Sequence, residues 1–221
     1  MIPEAYIKQG KIRVAVDCII FGFDGKDLKA LLVKRPIEPR KGRWSLMGGF
    51  VNENESVDQA AQRALENLTG ITNIYMEQLH CFGDVKRDTA ARVISIAYFA
   101  LIKIGDYQES LMKEYKAKWF HLDSIPSTII FDHEDMIRLA RERLKQKATS
   151  HPVGFNLLPR KFTLQQLQNL YEAIYETRFD KRNFTKKILS LNILKKLNEK
   201  EKISSKKGAF LFEFNMTKKN W

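Results

Sequence analysis

The stretch from Gly49 to Ile71, GFVNENESVDQAAQRALENLTGI, constrains the fold of this chain more than any other. Ser56 and Gln59 have the S-x-x-Q spacing of a capping box, the signature of a helix start. Val57, Ala60, Ala61, Ala64, Leu65 and Leu68 then recur at helical spacing, so one face of that helix is apolar. Gly70 stands where a left-handed cap would end it. The glycine-rich WSLMGGFV leads in from the strand side.

This loop and helix resemble the Nudix box, G-x5-E-x7-R-E-U-x-E-E-x-G-U with U aliphatic. Gly49, Glu55, Arg63, Leu65, Gly70 and Ile71 match at the right spacing. The three glutamates of R-E-U-x-E-E fall on Ala64, Asn67 and Leu68. In the working family those carboxylates hold the divalent metal that assists attack on a diphosphate. Hard cations need oxygen ligands, preferably charged. Ala64 and Leu68 offer none, and Asn67 offers one neutral carbonyl. Glu66, at the free position of the pattern, lies about 100° around the helix from Leu65 and reads as a surface residue. The resemblance therefore implies the fold without its metal, with no catalytic residue and no cofactor.

Charge divides the chain. Residues 151–221 hold 15 Lys+Arg against 6 Asp+Glu, while residues 1–150 hold 23 against 20. A near-neutral first part followed by a basic last third suggests two units, the second facing a polyanion. No run approaches the roughly eighteen apolar residues of a membrane helix, and the start has no signal-peptide pattern. Cys18 and Cys81 lack metal-ligand spacing and read as reduced, mostly buried thiols. These features together point to the cytoplasm and to no membrane partner.

In the first unit, RVAVDCIIFGF (13–23) and Leu28 to Lys34 read as strands joined by an Asp-Gly turn. Tyr75 to Phe82, Arg92 to Ile104 and Lys118 to His121 read as further strands. FDHEDMIRLARERLKQK reads as a helix with Met136, Ile137, Ala140 and Leu144 inward, acids in its first turn and bases in its last. His121 and His133 read as a strand-end and a first-turn residue rather than acid–base groups. This order fits the α/β/α sandwich of the Nudix resemblance over roughly residues 11–147. The family's ligand cleft would then be lined by Lys34, Arg35, Glu38, Trp44 and Phe50, with Asp84 and Arg87 reaching in from the GDVKRD loop. Trp44 would supply a flat apolar surface and the charged groups directional bonds.

Two prolines and a glycine in ATSHPVGFNLLPRK break the helical period, which places a linker at 148–161 between units at 1–147 and 162–221. The apolar FNLLP within it is expected to pack against one of the two units. Thr163 with Gln166 makes a second capping box, followed by Leu164, Leu167, Leu170, Tyr171, Ile174 and Tyr175 at helical spacing. Asp180 is a good N-cap for a second helix to about Ser190, with Phe184, Ile188 and Leu191 inward. Its other face gathers Lys181, Arg182, Asn183, Lys186 and Lys187. Ile193 to Leu197 reads as a strand, Asn198 to Gly208 as a Lys-rich loop, and Ala209 to Phe214 as a strand with Phe210, Phe212 and Phe214 on one face. Helix, turn, basic helix and hairpin are winged helix-turn-helix anatomy. Arg182 and Asn183 suit base edges; Lys186, Lys187, Lys206 and Lys207 suit phosphates.

A decayed Nudix box joined to a C-terminal winged helix resembles the Nudix-related transcriptional regulators. MGGFV, IFDHEDMI, GFNLLPRKFTLQQLQNLYEAIY and FDKRNFTKKI are similar to that family's own segments, nearest its sugar-responsive, arabinose-type members. The resemblance implies a homodimer that binds double-stranded operator DNA under control of a small effector. A sugar such as L-arabinose is the favoured effector and an ADP-ribose-type nucleotide the second. The rival is an active Nudix hydrolase of a nucleoside diphosphate derivative using Glu53, Glu55, Glu66 and Asn67, with a basic accessory domain. An RNA-binding role fits the charge but not the helix–turn–helix–wing order.

Overall fold

The computed structural model describes residues 8–72, 74–104, 109–150, 153, 157–201 and 208–215. Strand β1 (Arg13–Phe23) lies at the centre of a seven-stranded mixed sheet. It pairs antiparallel with β2 (Leu28–Lys34) and β4 (Met47–Phe50), and parallel with β6 (Val93–Lys103). The short β3 (Trp44–Ser45) and β7 (Lys118–His121) pair with β2, and β5 (Tyr75–Phe82) pairs with β6. The β1–β2 hairpin closes as its Asp-Gly turn predicts. Asp24 Oδ1 accepts the amides of Lys26 and Asp27 at 3.0 and 2.8 Å, and Gly25 takes φ +99°.

Alternation along β1 builds two cores, because successive strand side chains face opposite ways. Val16, Cys18 and Ile20 join a cluster closed by α1 (Val57–Thr69) through Ala60, Ala61, Ala64, Leu65 and Leu68. The box is present as read: Ser56 Oγ accepts the Gln59 amide, the Gln59 side chain accepts the Ser56 amide, and Gly70 caps at φ 70°. Burial pushes the Cys18 thiol up, so it is an inert core residue. Cys81 is exposed, contrary to the sequence reading, because it points outward from β5.

On the opposite face Ile19, Phe21 and Phe23 meet Met136, Ile137, Ala140 and Leu144 of α3 (His133–Ser150). A six-residue helix, α2 (Glu109–Glu114), precedes β7. The α3-side core runs on into the C-terminal unit: Leu167, Leu170 and Ile174 of α4 (Leu164–Tyr175) and Phe184 and Ile188 of α5 (Lys181–Ser190) belong to the same buried cluster. Leu157 and Leu158 are buried in it too, as the apolar linker segment suggested. Helix α3 extends to Ser150, three residues past the expected boundary.

The C-terminal unit carries a three-stranded sheet ordered β8 (Phe162–Thr163), β10 (Ala209–Phe214), β9 (Leu194–Glu201). Two details differ from the sequence reading. Strand β9 continues to Glu201, so Asn198 to Glu201 is strand and not loop. Pairing shifts between Phe210 and Phe212, and this irregularity turns Phe210 out to 41% exposure while Phe212 and Phe214 stay buried. Leu191, expected inside, caps α5 and is exposed.

Candidate functional site

Two hollows that share a wall open beside the Nudix-like loop. The inner cleft, about 250 Å³, lies over β1 and β4 and is lined by Arg35, Ile37, Phe50, Asn67, Tyr115 and Phe131 among others. The outer groove, about 720 Å³, is lined by Arg40, Arg43, Asp84, Lys86 and Asp135. Arg87 and Phe131 line both.

The floor of the cleft is a closed polar network. Arg87 donates to both oxygens of Asp132, at 2.9 and 2.7 Å, and reaches Asp17 at 3.3 Å. Ser95 Oγ donates to Asp17 at 2.6 Å, and His133 Nε2 lies 3.5 Å from its other oxygen. His133 Nδ1 accepts the Leu46 amide at 3.1 Å, which places the proton of the neutral ring on Nε2. Burial lowers the His133 pKa against the pull of Asp17 and Asp132, so the ring stays neutral. Burial also works against charge on Arg87, but its bonds to Asp132 and the field of Asp17 outweigh it and hold the guanidinium protonated. Gly48 fits tightly over this floor: a Cβ there would lie 2.2 Å from the Val16 carbonyl oxygen.

Above the floor, Arg35 lies 5.2 Å over the Phe131 ring and donates its Nε to the Pro39 carbonyl at 2.7 Å. Phe131 holds φ +53°, a conformation that costs a bulky residue about 1–3 kcal/mol and that the surrounding structure must enforce.

Of the residues expected in the cleft, Arg35 and Phe50 line the inner part, Asp84 the outer, and Arg87 both. Lys34, Trp44 and Glu38 line neither. Trp44 packs edge-on to Phe120 at 4.9 Å, and the Lys34 ammonium sits 3.7 Å over its other side. Glu38 precedes a cis proline and turns its carboxylate to the Lys41 amide at 3.4 Å. The flat aromatic surface at the cleft is therefore Phe131, not Trp44. Sequence reasoning missed Phe131, Asn67, Arg40, Arg43 and Lys86; only Asn67, at a box position, carried a signal.

The box splits into a structural and a chemical part. Arg63 forms a two-pronged pair with Glu55 at 2.9 and 2.6 Å and donates to the Phe50 carbonyl at 3.0 Å, tying the loop to α1. The Arg63 hydrogen bonds push the Glu55 pKa down to about 2. Of the metal positions, Ala64 and Leu68 are buried at 3% and 0% exposure, and only Asn67 faces the cleft. Glu55 is spent on Arg63, and Asp58 accepts from the Tyr98 hydroxyl. The donor set does not fit a hard divalent cation.

The second surface is α5. Lys181, Arg182, Asn183, Lys186 and Lys187 are all exposed on one side, opposite buried Phe184 and Ile188. The four cations form no ion pair among the described residues. Asp180 caps the helix through the Asn183 amide at 2.8 Å. Lys206 and Lys207 lie outside the described residues. Next to α5, Lys196 and Lys200 of β9 flank the exposed Phe210 ring at 3.7 and 4.6 Å, two wing cations the sequence reading passed over.

A Nudix sandwich that keeps its loop but not its metal carboxylates, carrying a winged helix with an unpaired basic face, defines a DNA-binding regulator built on an enzyme fold. Residues 11–140 match the NUDIX domain, and residues 154–214 match the NrtR DNA-binding winged helix domain. The chain is 32% identical to the ADPR responsive transcriptional repressor NtrR of Acinetobacter baylyi, over 91% of this chain and 81% of that protein. It superposes on Shewanella oneidensis NrtR complexed with a 27mer DNA at TM-score 0.80, with 30% identity, covering 91% and 93% of the two chains. The Nudix domain of that protein complexed with ADP ribose matches at TM-score 0.52 and 30% identity, over 65% of this chain and 99% of the other. The ADP-ribose pyrophosphatase of Methanocaldococcus jannaschii is 38% identical over 57% of this chain and 70% of its own. The chain belongs to the NrtR family of Nudix-related transcriptional regulators, and is a ligand-responsive, DNA-binding regulator of that type.

Proposed function

We propose that the Nudix cleft binds an ADP-ribose-type nucleotide without hydrolysing it, and that binding releases a dimer of this chain from operator DNA. The observation that carries the first half is the pair of hollows that share Arg87 and Phe131 as a wall. The inner one, about 250 Å³, falls below the roughly 300 Å³ at which ligand pockets ordinarily begin. A ligand the size of ADP-ribose would extend past Phe131 into the outer groove. There Arg40, Arg43 and Lys86 line the space, and Arg35 lines the inner cleft, cations that suit a diphosphate between two nucleoside-like ends. A free pentose would use neither the length nor the cations. The Acinetobacter relative is an ADPR responsive repressor, and the Shewanella Nudix domain forms a complex with ADP ribose. The arabinose preference from sequence is accordingly set behind the nucleotide.

Within this reading Arg35, Phe50, Asp84 and Asn67 contact the effector, and Arg87 holds the floor. Lys181, Arg182, Asn183, Lys186 and Lys187, with Lys206 and Lys207, meet DNA. The working compartment is the one that holds the chromosome. The hydrolase reading draws on the pyrophosphatase relative, but buried Ala64 and Leu68 give it no carboxylates.

Titration calorimetry with ADP-ribose, AMP, ribose 5-phosphate and L-arabinose, each with and without magnesium, tests the effector. Magnesium-independent binding of ADP-ribose with intact ligand recovered afterwards is the expected result. Release of AMP, or binding of arabinose alone, would refute it.

A further inference from the structure

Helix α3 touches the effector hollows at its first turn and, through Arg141 and Lys145, the end of α4 that precedes α5. Helix α3 starts in the hollow wall. Asp132, which accepts the Met136 amide at 3.1 Å, is gripped by Arg87, and His133 is held by the Leu46 amide. Phe131, the left-handed residue just before, is the shared wall of both hollows. Lys145 is thirteen residues further along, about 20 Å at the rise of an α-helix.

At that far half, α3 holds the turn that precedes α5. Glu176, the left-handed C-cap of α4 at φ 56°, is gripped by two α3 cations: Arg141, and Lys145 at 2.8 Å. Tyr175 donates its hydroxyl to the Lys145 carbonyl at 3.0 Å. Four residues separate Glu176 from α5, and their path is fixed from α4. Glu172 accepts the Phe179 amide at 3.0 Å, and Gln168 donates to the Phe179 carbonyl at 2.9 Å. The turn therefore moves with Glu176, and α5 moves with the turn.

Resting on the reading that an ADP-ribose-type nucleotide occupies the cleft, we infer that Glu176 is the coupling residue between effector and DNA. A ligand seated against Arg35 and Phe131 bears on the start of α3. The helix carries that shift as a rigid body to Arg141 and Lys145. Their grip on Glu176 then resets the placement of α5 relative to the Nudix-like unit. A ligand changes DNA affinity only through such a difference between arrangements.

The test compares the full-length chain with Glu176→Gln and Lys145→Met, and with Arg138→Ala as a control. Arg138 pairs with Asp135 on the exposed side of the same helix. ADP-ribose affinity is measured by calorimetry. Affinity for duplexes from upstream of the chain's own gene is measured by fluorescence anisotropy, with and without saturating ADP-ribose. We expect the wild type and Arg138→Ala to lose about fivefold or more in DNA affinity on adding ADP-ribose, as typical coupling energies give. Glu176→Gln and Lys145→Met should bind each ligand alone within about threefold of wild type, with the coupling reduced to less than twofold. If Glu176→Gln does not fold, Lys145→Met decides alone. Coupling in the variants equal to wild type overturns the inference and leaves the effector reading intact. A wild-type chain that does not bind ADP-ribose overturns both.

Discussion

Replacing Arg87 by methionine separates a structural role from ligand contact at the cleft. The Arg87 side chain is 3% exposed, and its partners Asp17 and Asp132 are 12% and 19% exposed. Removing the guanidinium leaves two carboxylates facing each other across the floor, with only Ser95 and neutral His133 to answer Asp17. Breaking a buried pair from one side costs about 3–5 kcal/mol, and the partial exposure of Asp132 points to the lower end. For a chain of this size about 3 kcal/mol corresponds to roughly 6–12 °C in Tm. Urea denaturation at pH 7 gives the free energy directly, and thermal melting gives the shift. Asp132→Asn added to Arg87→Met should recover about 1 kcal/mol or more, because one of the two opposed charges is gone. A single variant that melts within about 2 °C of wild type would refute the reasoning. So would a double variant no more stable than the single.

Other outcomes follow from the same contacts. Glu55 has its folded pKa pushed below the unfolded value, so its bond to Arg63 stabilises fully above the ordinary carboxylate range and is lost as pH falls from about 4.5 to about 2. The stability gap between wild type and Arg63→Ala should close over that window in denaturation curves taken at a series of pH values. Ser56→Ala removes the α1 capping box and should cost about 1 kcal/mol, read from urea midpoints at unchanged slope. Arg182→Ala should lose about 1–3 kcal/mol of specific DNA binding and relax base preference at one position. Lys187→Ala should weaken all sequences alike and lower the salt slope by about one, measured by anisotropy across a salt series.

Local rules made the fold readable. Both capping boxes, the Asp-Gly hairpin and the inner stripe of α3 depend on residues within a few positions of one another, and each formed as its spacing indicates. The basic face of α5 was readable for the same reason, since Phe184 and Ile188 fix which side is turned out. The cleft was only half readable. Trp44 looked like a ligand platform because an aromatic beside a Nudix-like loop has two uses, and only the position of Phe120 across β2 decides for packing. Phe131 gave no warning, because its place between two hollows comes from a left-handed turn that brings the start of α3 to β1. Arg87 was named for its charge, but its partners lie 45 and 70 residues away, and no spacing rule reaches them. Phe210 left its expected face because of an irregular pairing that alternation alone does not contain.

On the proposed function, one chain joins a non-hydrolytic nucleotide sensor to a DNA reader. The most direct measurement titrates a fluorescent duplex from upstream of the chain's own gene with the full-length protein, then adds ADP-ribose to the complex and assays the same sample for AMP. Salt-sensitive DNA binding, release by ADP-ribose without added magnesium, and no AMP are the expected results. DNA binding indifferent to ADP-ribose, or release that appears only as AMP accumulates, would contradict it.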